Sequence, residues 1–302
     1  MAISQVRAQV NGTWHTLTYD SASGTYKATI TAPGATSFHQ TGGYYNVTVE
    51  ATNTAGTVGT ADASGVSGLR LVVKERVAPV ITILSPSGGA YVSNSQQPVV
   101  FTVTDEAGGS GVNLSSLVVT LDGTAVASSS ISSTAITNGY SVTYTPASAL
   151  SDGSHTVTVN VSDNDGNAAT QKPTTFTVDT VPPTLNITSP VDGYLTANAS
   201  LTISGTTNDI TSSPVVVKVS LNGADQGAVS VGSNGAFTKA VTLANGSNTI
   251  VVTATDSAGK TSSVTRTVTL DTSVPKITAA SITPNPVDAG ATMVISVTIT
   301  EA

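Results

Sequence analysis

The sequence predicts an all-β protein built from repeated sandwiches, and three observations predict it. Charged residues make up 10% of the 302 positions and aromatics 4%. The bulk is Val, Thr, Ser, Ala and Gly, a composition that favours strands and turns over helices. Apolar residues alternate with period two in short runs, the mark of a half-buried strand. Finally, the runs recur as copies of one pattern, so the chain is an array of similar units.

The pattern reads Gly43-YYNVTVEATNTA-Gly56, Gly153-SHTVTVNVSDND-Gly166 and Gly246-SNTIVVTATDSA-Gly259. Val47, Val49 and Ala51 in the first copy match Val157, Val159 and Val161, and then Ile250, Val252 and Ala254. The Asp/Asn-x-x-Gly that closes each copy is a hairpin-turn signal. A return strand is predicted after each turn, at residues 69–74, 174–178 and 264–270. Upstream, strands end in Asn11-Gly12, Asp122-Gly123 and Asn222-Gly223. A glycine then heads an aromatic strand at Gly24-Thr-Tyr26, Gly139-Tyr140 and Gly235-Ala-Phe237, with the aromatic read as a core plug.

Two further strands open the second and third units, at residues 79–86 with 99–106 and at 183–190 with 201–209. Seven short strands at regular spacing, in units of roughly ninety to a hundred residues, resemble bacterial immunoglobulin-like tandem domains, relatives of fibronectin type III and cadherin-like modules. The resemblance implies stalks of bacterial surface proteins or decorations of phage tails and capsids. It implies tandem immunoglobulin-like β-sandwiches in a rod: residues 1–76, 77–180 and 181–272, then a two-strand segment at 273–302. An acid stands four positions before a proline at each boundary: Glu75 before Pro79, Asp179 before Pro183, Asp271 before Pro275. The short proline-bearing linkers predict limited bending.

The first unit starts on what is the third strand of the others, so it reads as an incomplete sandwich. Residues 275–302 read as the first two strands of a unit. Their second strand ends in an acid followed by Ala302, as the one at Val99 ends in an acid followed by Ala107. A sandwich short of two strands leaves an apolar face and an edge open, and an isolated two-strand segment is marginally stable in water. Strand complementation between copies follows as an expectation. Ile277, Ile282, Val294, Ile295, Val297 and Ile299 form the donor, and Val6, Val10, Val47 and Val49 belong to the acceptor domain. The contact is heterologous, giving a ring or a filament. Another virion or surface protein as the partner stands as the alternative.

Function classes narrow by charge. A net charge of −7 argues against nucleic acid and against an anionic membrane surface. The start of the chain shows no charged region followed by an apolar one, so no secretory leader is expected, which favours a virion or another extracellular setting reached by lysis. His15, His39 and His155 fall at unrelated positions with no nucleophile and orienting acid, so no enzyme and no bound cofactor is expected. Calcium is the one exception that the acids allow. Loops at one end of each sandwich would gather Glu75, Asp105, Glu106, Asp163 and Asp165 at one junction and Asp179, Asp209 and Asp256 at the next. Calcium takes six to eight such oxygens, although Asp and Asn also serve turns by accepting their own backbone N–H groups. Trp14 reads either as a platform for cell-surface glycan or as a rim residue. Tyr44-Tyr45 supplies a corner tyrosine, and Arg70, Lys74 and Arg76 form a solvated edge.

Overall fold

The computed structural model describes residues 2–301. Two compact units emerge: residues up to Ala90 together with Asn94–Val178, and Tyr91–Ser93 together with the chain from Asp179 on. Each is all-β.

The first unit opens with a single substantial sheet. Strands β1 (Ile3–Val10) and β2 (Thr13–Asp20) form a hairpin across Asn11-Gly12. These two turn residues have φ of 46° and 80°, the left-handed values that a tight two-residue turn requires. Then come β3 (Thr25–Lys27), β4 (Tyr45–Asn46), β5 (Thr48–Asn53), β6 (Val58–Ala61) and β7 (Arg70–Leu71). The sheet order is β3-β2-β1-β5-β6, and β4 pairs only with β7. Val6, Ala8 and Val10 are buried on one face, Val47, Val49 and Ala51 are half-buried, and Tyr19 on the same face is 55% exposed.

The return strand does not fall where the sequence places it. β6 at Val58–Ala61 takes the pairing with β5, and within residues 69–74 only Arg70–Leu71 is paired. An excursion over residues 62–69 splits the strand. It is held by the Ala63 N–H on Asn46 Oδ1 (2.8 Å) and the Val66 N–H on the Asp62 carbonyl (2.8 Å). Tyr45 does behave as a corner tyrosine: it is buried, and its hydroxyl donates to the Ala35 carbonyl at 3.1 Å.

The rest of this unit is a two-sheet sandwich, formed from β8 (Val80–Ser85), β10 (Val99–Thr104), β11 (Val112–Leu121), β12 (Thr124–Ala125), β13 (Ile131–Ile136), β14 (Gly139–Tyr144), β15 (Gly153–Asp163) and β16 (Lys172–Val178); the short β9 (Ala90–Val92), between β8 and β10 in the chain, falls mostly in the second unit. One sheet runs β13-β14-β10-β8, and the other contains β12-β11-β15-β16. The alternation predicted for these strands is the burial alternation observed. Val99, Phe101 and Val103 face Val157, Val159 and Phe176 in a core with no exposure at these residues.

The second unit repeats the plan with β17 (Thr184–Ser189), β18 (Tyr194–Thr196), β19 (Ser200–Asn208), β20 (Val216–Leu221), β21 (Ala224–Asp225), β22 (Ala236–Thr242), β23 (Gly246–Thr255) and β24 (Thr261–Leu270). Its sheets are β17-β19-β22 and β18-β24-β23-β20-β21. The aromatic plug changes strand between the two sandwiches. Phe101 on β10 opposes Val142, whereas Gly205 on β19 opposes Phe237. A Cβ on Gly205 would lie 2.6 Å from the Phe237 ring, so the glycine leaves the space that the ring fills, as close packing demands.

Strands β25 (Lys276–Thr283) and β26 (Val294–Thr300) form a hairpin in which every residue is exposed. Ile277 opposes Ile299, Ala280 opposes Val297 and Ile282 opposes Ile295, so these share one face. Val294 opposes Thr283 on the other face. It therefore does not belong with the five other donor residues named from the sequence.

One polar network differs between the sandwiches in a testable way. Buried His155 has Nδ1 2.8 Å from Asp122 Oδ2 and Nε2 2.8 Å from the Ser151 carbonyl. Both neighbours are acceptors, so both ring nitrogens must donate and the imidazolium is the form that fits. At the matching place in the second unit, Asn222 Nδ2 donates to Asn248 Oδ1 at 3.0 Å, a neutral pair. Burial lowers the His155 pKa, but the Ser151 carbonyl and then Asp122 outweigh it, and the net value is raised. Burial likewise raises Asp122, but the Thr156 N–H and His155 outweigh that, and its net value is lowered. The histidine's stabilisation is complete below its unfolded pKa and is lost as pH rises through the raised folded one. The carboxylate's is lost on the acid side, as pH falls through its lowered value. The stability advantage of the native protein over His155→Asn, measured by denaturant titration, is expected to shrink as pH rises from about 6 to 9. A constant difference across that range would contradict the ion pair.

Candidate metal centres

Two carboxylate clusters lie where loops meet a linker acid, one in each unit. In the first unit, Glu75, Asp105 and Glu106 each offer an oxygen within 4.8 Å of the others. Asp105 and Glu106 follow directly on β10, whose ladder ends at Thr104. Glu75 comes from the segment after β7, and the Ser110 N–H donates to its Oε1. The Gly111 N–H donates to Asp105 Oδ2 at 2.7 Å. Glu75 Oε2, Asp105 Oδ1 and Glu106 Oε2 are buried with no hydrogen-bond partner. Contact with the Glu75 carboxyl, then burial, pushes Glu106 up to about 7. Burial raises Glu75 as well, but contact with the Glu106 carboxyl and the bond from Ser110 outweigh it, and the net value is lowered.

In the second unit the cluster is Asp179, Asp209 and Asp256, again with oxygens within 4.8 Å of one another. All three are buried, Asp179 completely and Asp256 to 6% exposure. Each spends one oxygen on backbone: Val181 N–H to Asp179 Oδ1 (3.0 Å), Thr211 and Ser212 N–H to Asp209 Oδ1 (2.8 Å each), and Lys260 N–H to Asp256 Oδ1 (2.8 Å). Those are the turn roles expected of Asp. The second oxygens are the ones that remain: Ser212 Oγ reaches Asp179 Oδ2, and Asp256 Oδ2 is buried with no partner.

The structure divides the predicted metal residues. Glu75 and Asp105 come together with Glu106, and Asp179, Asp209 and Asp256 come together. Asp163 and Asp165 fall outside the first cluster. Asp163 accepts from the Asn167 N–H (2.8 Å) and Asn167 Nδ2 (2.7 Å), so both of its oxygens are used. Asp165 Oδ2 accepts from Thr36 Oγ1 (2.5 Å) and the Glu75 N–H (3.0 Å). It braces the linker and binds no cluster oxygen. His39 Nε2 adds a contact with the Gly109 carbonyl at 2.9 Å, and Lys74 Nζ donates to the Asp165 carbonyl at 3.1 Å. Lys74 is therefore a brace as well, and Arg70 stacks 5.2 Å over the Tyr44 ring. Sequence reasoning missed Ser212 and Gly109, whose parts depend on how the loops fold.

Both clusters offer only oxygen ligands, and among the described residues no cationic side chain is paired with them. The ion pairs Arg7–Glu50, Lys27–Asp20 and His155–Asp122 reach neither. A buried group left without its bond costs roughly 1–3 kcal/mol, and more when charged. Carboxylate oxygen is the ligand type of calcium, a hard cation that accepts irregular geometry. The residues present fit that ion. Trp14, the other candidate, is 36% exposed with the Arg7 guanidinium 4.3 Å over its ring, held there by Glu50. One ring face is thus already covered, as for a rim residue.

Two sandwiches in succession, each with a linker acid at its loop end, define a tandem immunoglobulin-like domain protein. Residues 91–180 match the family model of the bacterial Ig-like domain, and residues 183–272 match that of glucodextranase, domain B. A search of curated proteins returned no match. Among solved structures, the chain is similar to the fibronectin(III)-like modules of Clostridium thermocellum CbhA, at 16% identity over 63% of this chain and 94% of that one, with a TM-score of 0.41. It is also similar to a tetra-tandem repeat in the extending region of a large adhesion protein, at 19% identity over 98% and 79%, with a TM-score of 0.33. Domains A168–A170 of titin match at 15% identity over 87% and 85%, with a TM-score of 0.41. Among the described residues, no helix is long and apolar enough to cross a membrane.

The first cluster leaves no room at its floor. A Cβ on Gly109 would lie 2.7 Å from Glu75 Oε2 and 2.8 Å from Asp105 Oδ2. Gly109→Ala is expected to spread the carboxylates and lower the melting temperature by several degrees, since about 1 kcal/mol shifts a domain midpoint by roughly 2–8 °C. Calorimetry would show it, and an unchanged midpoint would mean that the cluster is looser than described.

Proposed function

We propose that the protein is a structural segment of an extracellular assembly, with a structural rather than catalytic role, in which calcium holds each linker acid against the loops of its own unit. The observation that carries this reading is the set of buried carboxylate oxygens without partners, Asp105 Oδ1 and Asp256 Oδ2 foremost. With the ion bound, Glu75, Asp105 and Glu106 would be ligands in one unit, and Asp179, Asp209 and Asp256 in the other. The cation would balance charges that otherwise repel in a poorly solvated place. Millimolar calcium is expected to raise the melting temperature relative to EDTA by several degrees, because a ligand at 100 times its Kd contributes about 2.7 kcal/mol. Asp105→Asn and Asp256→Asn should each remove part of the gain. An unchanged midpoint in the native protein would retire calcium.

A second reading, favoured by the complete exposure of β25–β26, is assembly of copies head-to-tail by strand donation. Five apolar side chains, Ile277, Ile282, Ile295, Val297 and Ile299, stand 43–64% exposed on one face of a two-stranded hairpin. The acceptor is the first sheet, where Val6 and Val10 are buried but Val47 and Val49 are only half covered. This reading suits a phage-like tail or other virion component. A rod segment of an adhesin or receptor-binding fibre, touching cell-surface glycan, is the alternative, and it needs no self-association. Light scattering over a concentration series is expected to show a mass that grows for the full chain and stays monomeric after deletion of residues 275–302. A full-length monomer throughout would leave the adhesin alternative.

A further inference from the structure

We infer that the partner of the donated hairpin is one specific edge, the outer side of Thr25–Lys27 continued through residue 31. On it, β26 of another copy pairs antiparallel, with Ile299 opposite Gly24, Val297 opposite Tyr26 and Ile295 opposite Ala28. This rests on the strand-donation reading and gives it a site and a register.

Both complete sandwiches show what such an edge normally carries. The order β8-β10-β14 in one and β17-β19-β22 in the other places a two-stranded hairpin beside the aromatic-headed strand. All of β14 pairs with β10, and all of β22 pairs with β19. The hairpin β25-β26 repeats the first two members. Lys276↔Thr300 follows the pattern of Val80↔Thr104 and Thr184↔Asn208, each with one bulge further along. Both earlier strands run into the cluster acid, Asp105 or Asp209, and β26 runs into Glu301 at the same step.

In the first unit the third member is present and lacks its neighbour. Among the described residues β3 is the edge of its sheet and pairs only with β2, with Tyr26 opposite Tyr19. The alternation continues through Tyr26, Ala28 and Ile30, yet the chain leaves strand geometry after Lys27. An alternating run without a ladder partner lacks the bonds that hold a strand.

Glycine fixes the register. Gly235, with φ of 78°, heads β22, and a Cβ there would overlap the Thr207 carbonyl of β19. Gly24 heads β3 in the same way, with φ of 69°, and a Cβ there would meet nothing within 4 Å. The neighbour that Gly235 has is the one that Gly24 lacks. Through the Lys276↔Thr300 correspondence, Thr207 maps to Ile299, which places Ile299 opposite Gly24. The same step puts Val297 against Tyr26, on the face that already carries Tyr19 and Val6.

The area is sufficient for a stable contact. Burying a Val or Ile side chain removes on the order of 60–120 Å² from water. Five such residues, with the edge backbone and the tyrosines they cover, approach the roughly 800 Å² per partner of a standard interface.

The chain contains no cysteine, so pairs can be introduced cleanly. One copy carries Ala28→Cys and a second carries Ile295→Cys; both positions are exposed, so the variants should keep the native melting temperature. Mixed under mild oxidation, they are expected to form a covalent dimer, because directly opposed residues lie within disulfide reach. Ala28→Cys with Val297→Cys, a two-residue slip, should give at most a few per cent of that product. Preferential linking of the slipped pair would overturn the register that Gly24 sets. Absence of both products in a protein that still self-associates by light scattering would overturn the edge and leave strand donation standing. A protein that is monomeric and unlinked would overturn both.

Discussion

A sheet with one apolar face must have that face covered, and this constraint organises the whole chain. In the two complete sandwiches the cover is a second sheet, and the result is a core whose central residues have no exposure. Phe101 against Val142 in one and Phe237 against Gly205 in the other put the large ring on opposite strands. Burial of each such side chain contributes about 1.5–3 kcal/mol. The first sheet obeys the same constraint with less to work with. Val6, Ala8 and Val10 are buried on it, but Tyr19 on the same face stands in water.

The acid clusters follow from the same architecture. In each sandwich, the strand that packs its alternate residues into the core ends at a carboxylate, Asp105 after β10 and Asp209 after β19. The inward parity that buries Val103 and Thr207 carries on to those acids and buries them too. A residue placed by sheet geometry in a poorly solvated corner cannot simply turn to solvent. Its charge must be met there, by N–H groups, by a neighbouring opposite charge or by taking up a proton. The backbone N–H groups of Gly111, Ser212 and Lys260 meet part of it, and the unpartnered oxygens are the remainder.

Much of the fold was legible because sandwich strands write themselves in period two and their turns in glycine. The alternation of Val157, Val159 and Val161 and of Ile250, Val252 and Ala254 is the burial observed. The failure at residues 69–74 has a physical cause. Leu-Arg-Leu-Val-Val-Lys has every local property of a strand, but the excursion tied down by Asn46 gives the pairing to Val58–Ala61. The cluster acids were legible by topology, since loop ends are fixed by strand order. Their division was not, because Asn167 decides the fate of Asp163 by bonding both its oxygens, which is a matter of side-chain reach.

The three turns that follow the repeated pattern show how the first sheet belongs to the series. Asp163, Asp256 and Asn53 each donate their own N–H to the carbonyl four residues on, at 3.1 Å in all three. In each, the side-chain Oδ1 accepts the N–H of that same residue: Asn167, Lys260 and Thr57 at 2.8, 2.8 and 3.0 Å. Backbone geometry is thus conserved where the charge is not. Asn keeps the turn, since the amide oxygen accepts as a carboxylate oxygen does, but contributes no negative charge. The loop end of the first sheet is therefore shaped like the others and carries a neutral group where they carry an acid. Turn geometry and charge are separate properties of one position, and of the three only Asp256 puts its carboxylate into an acid cluster.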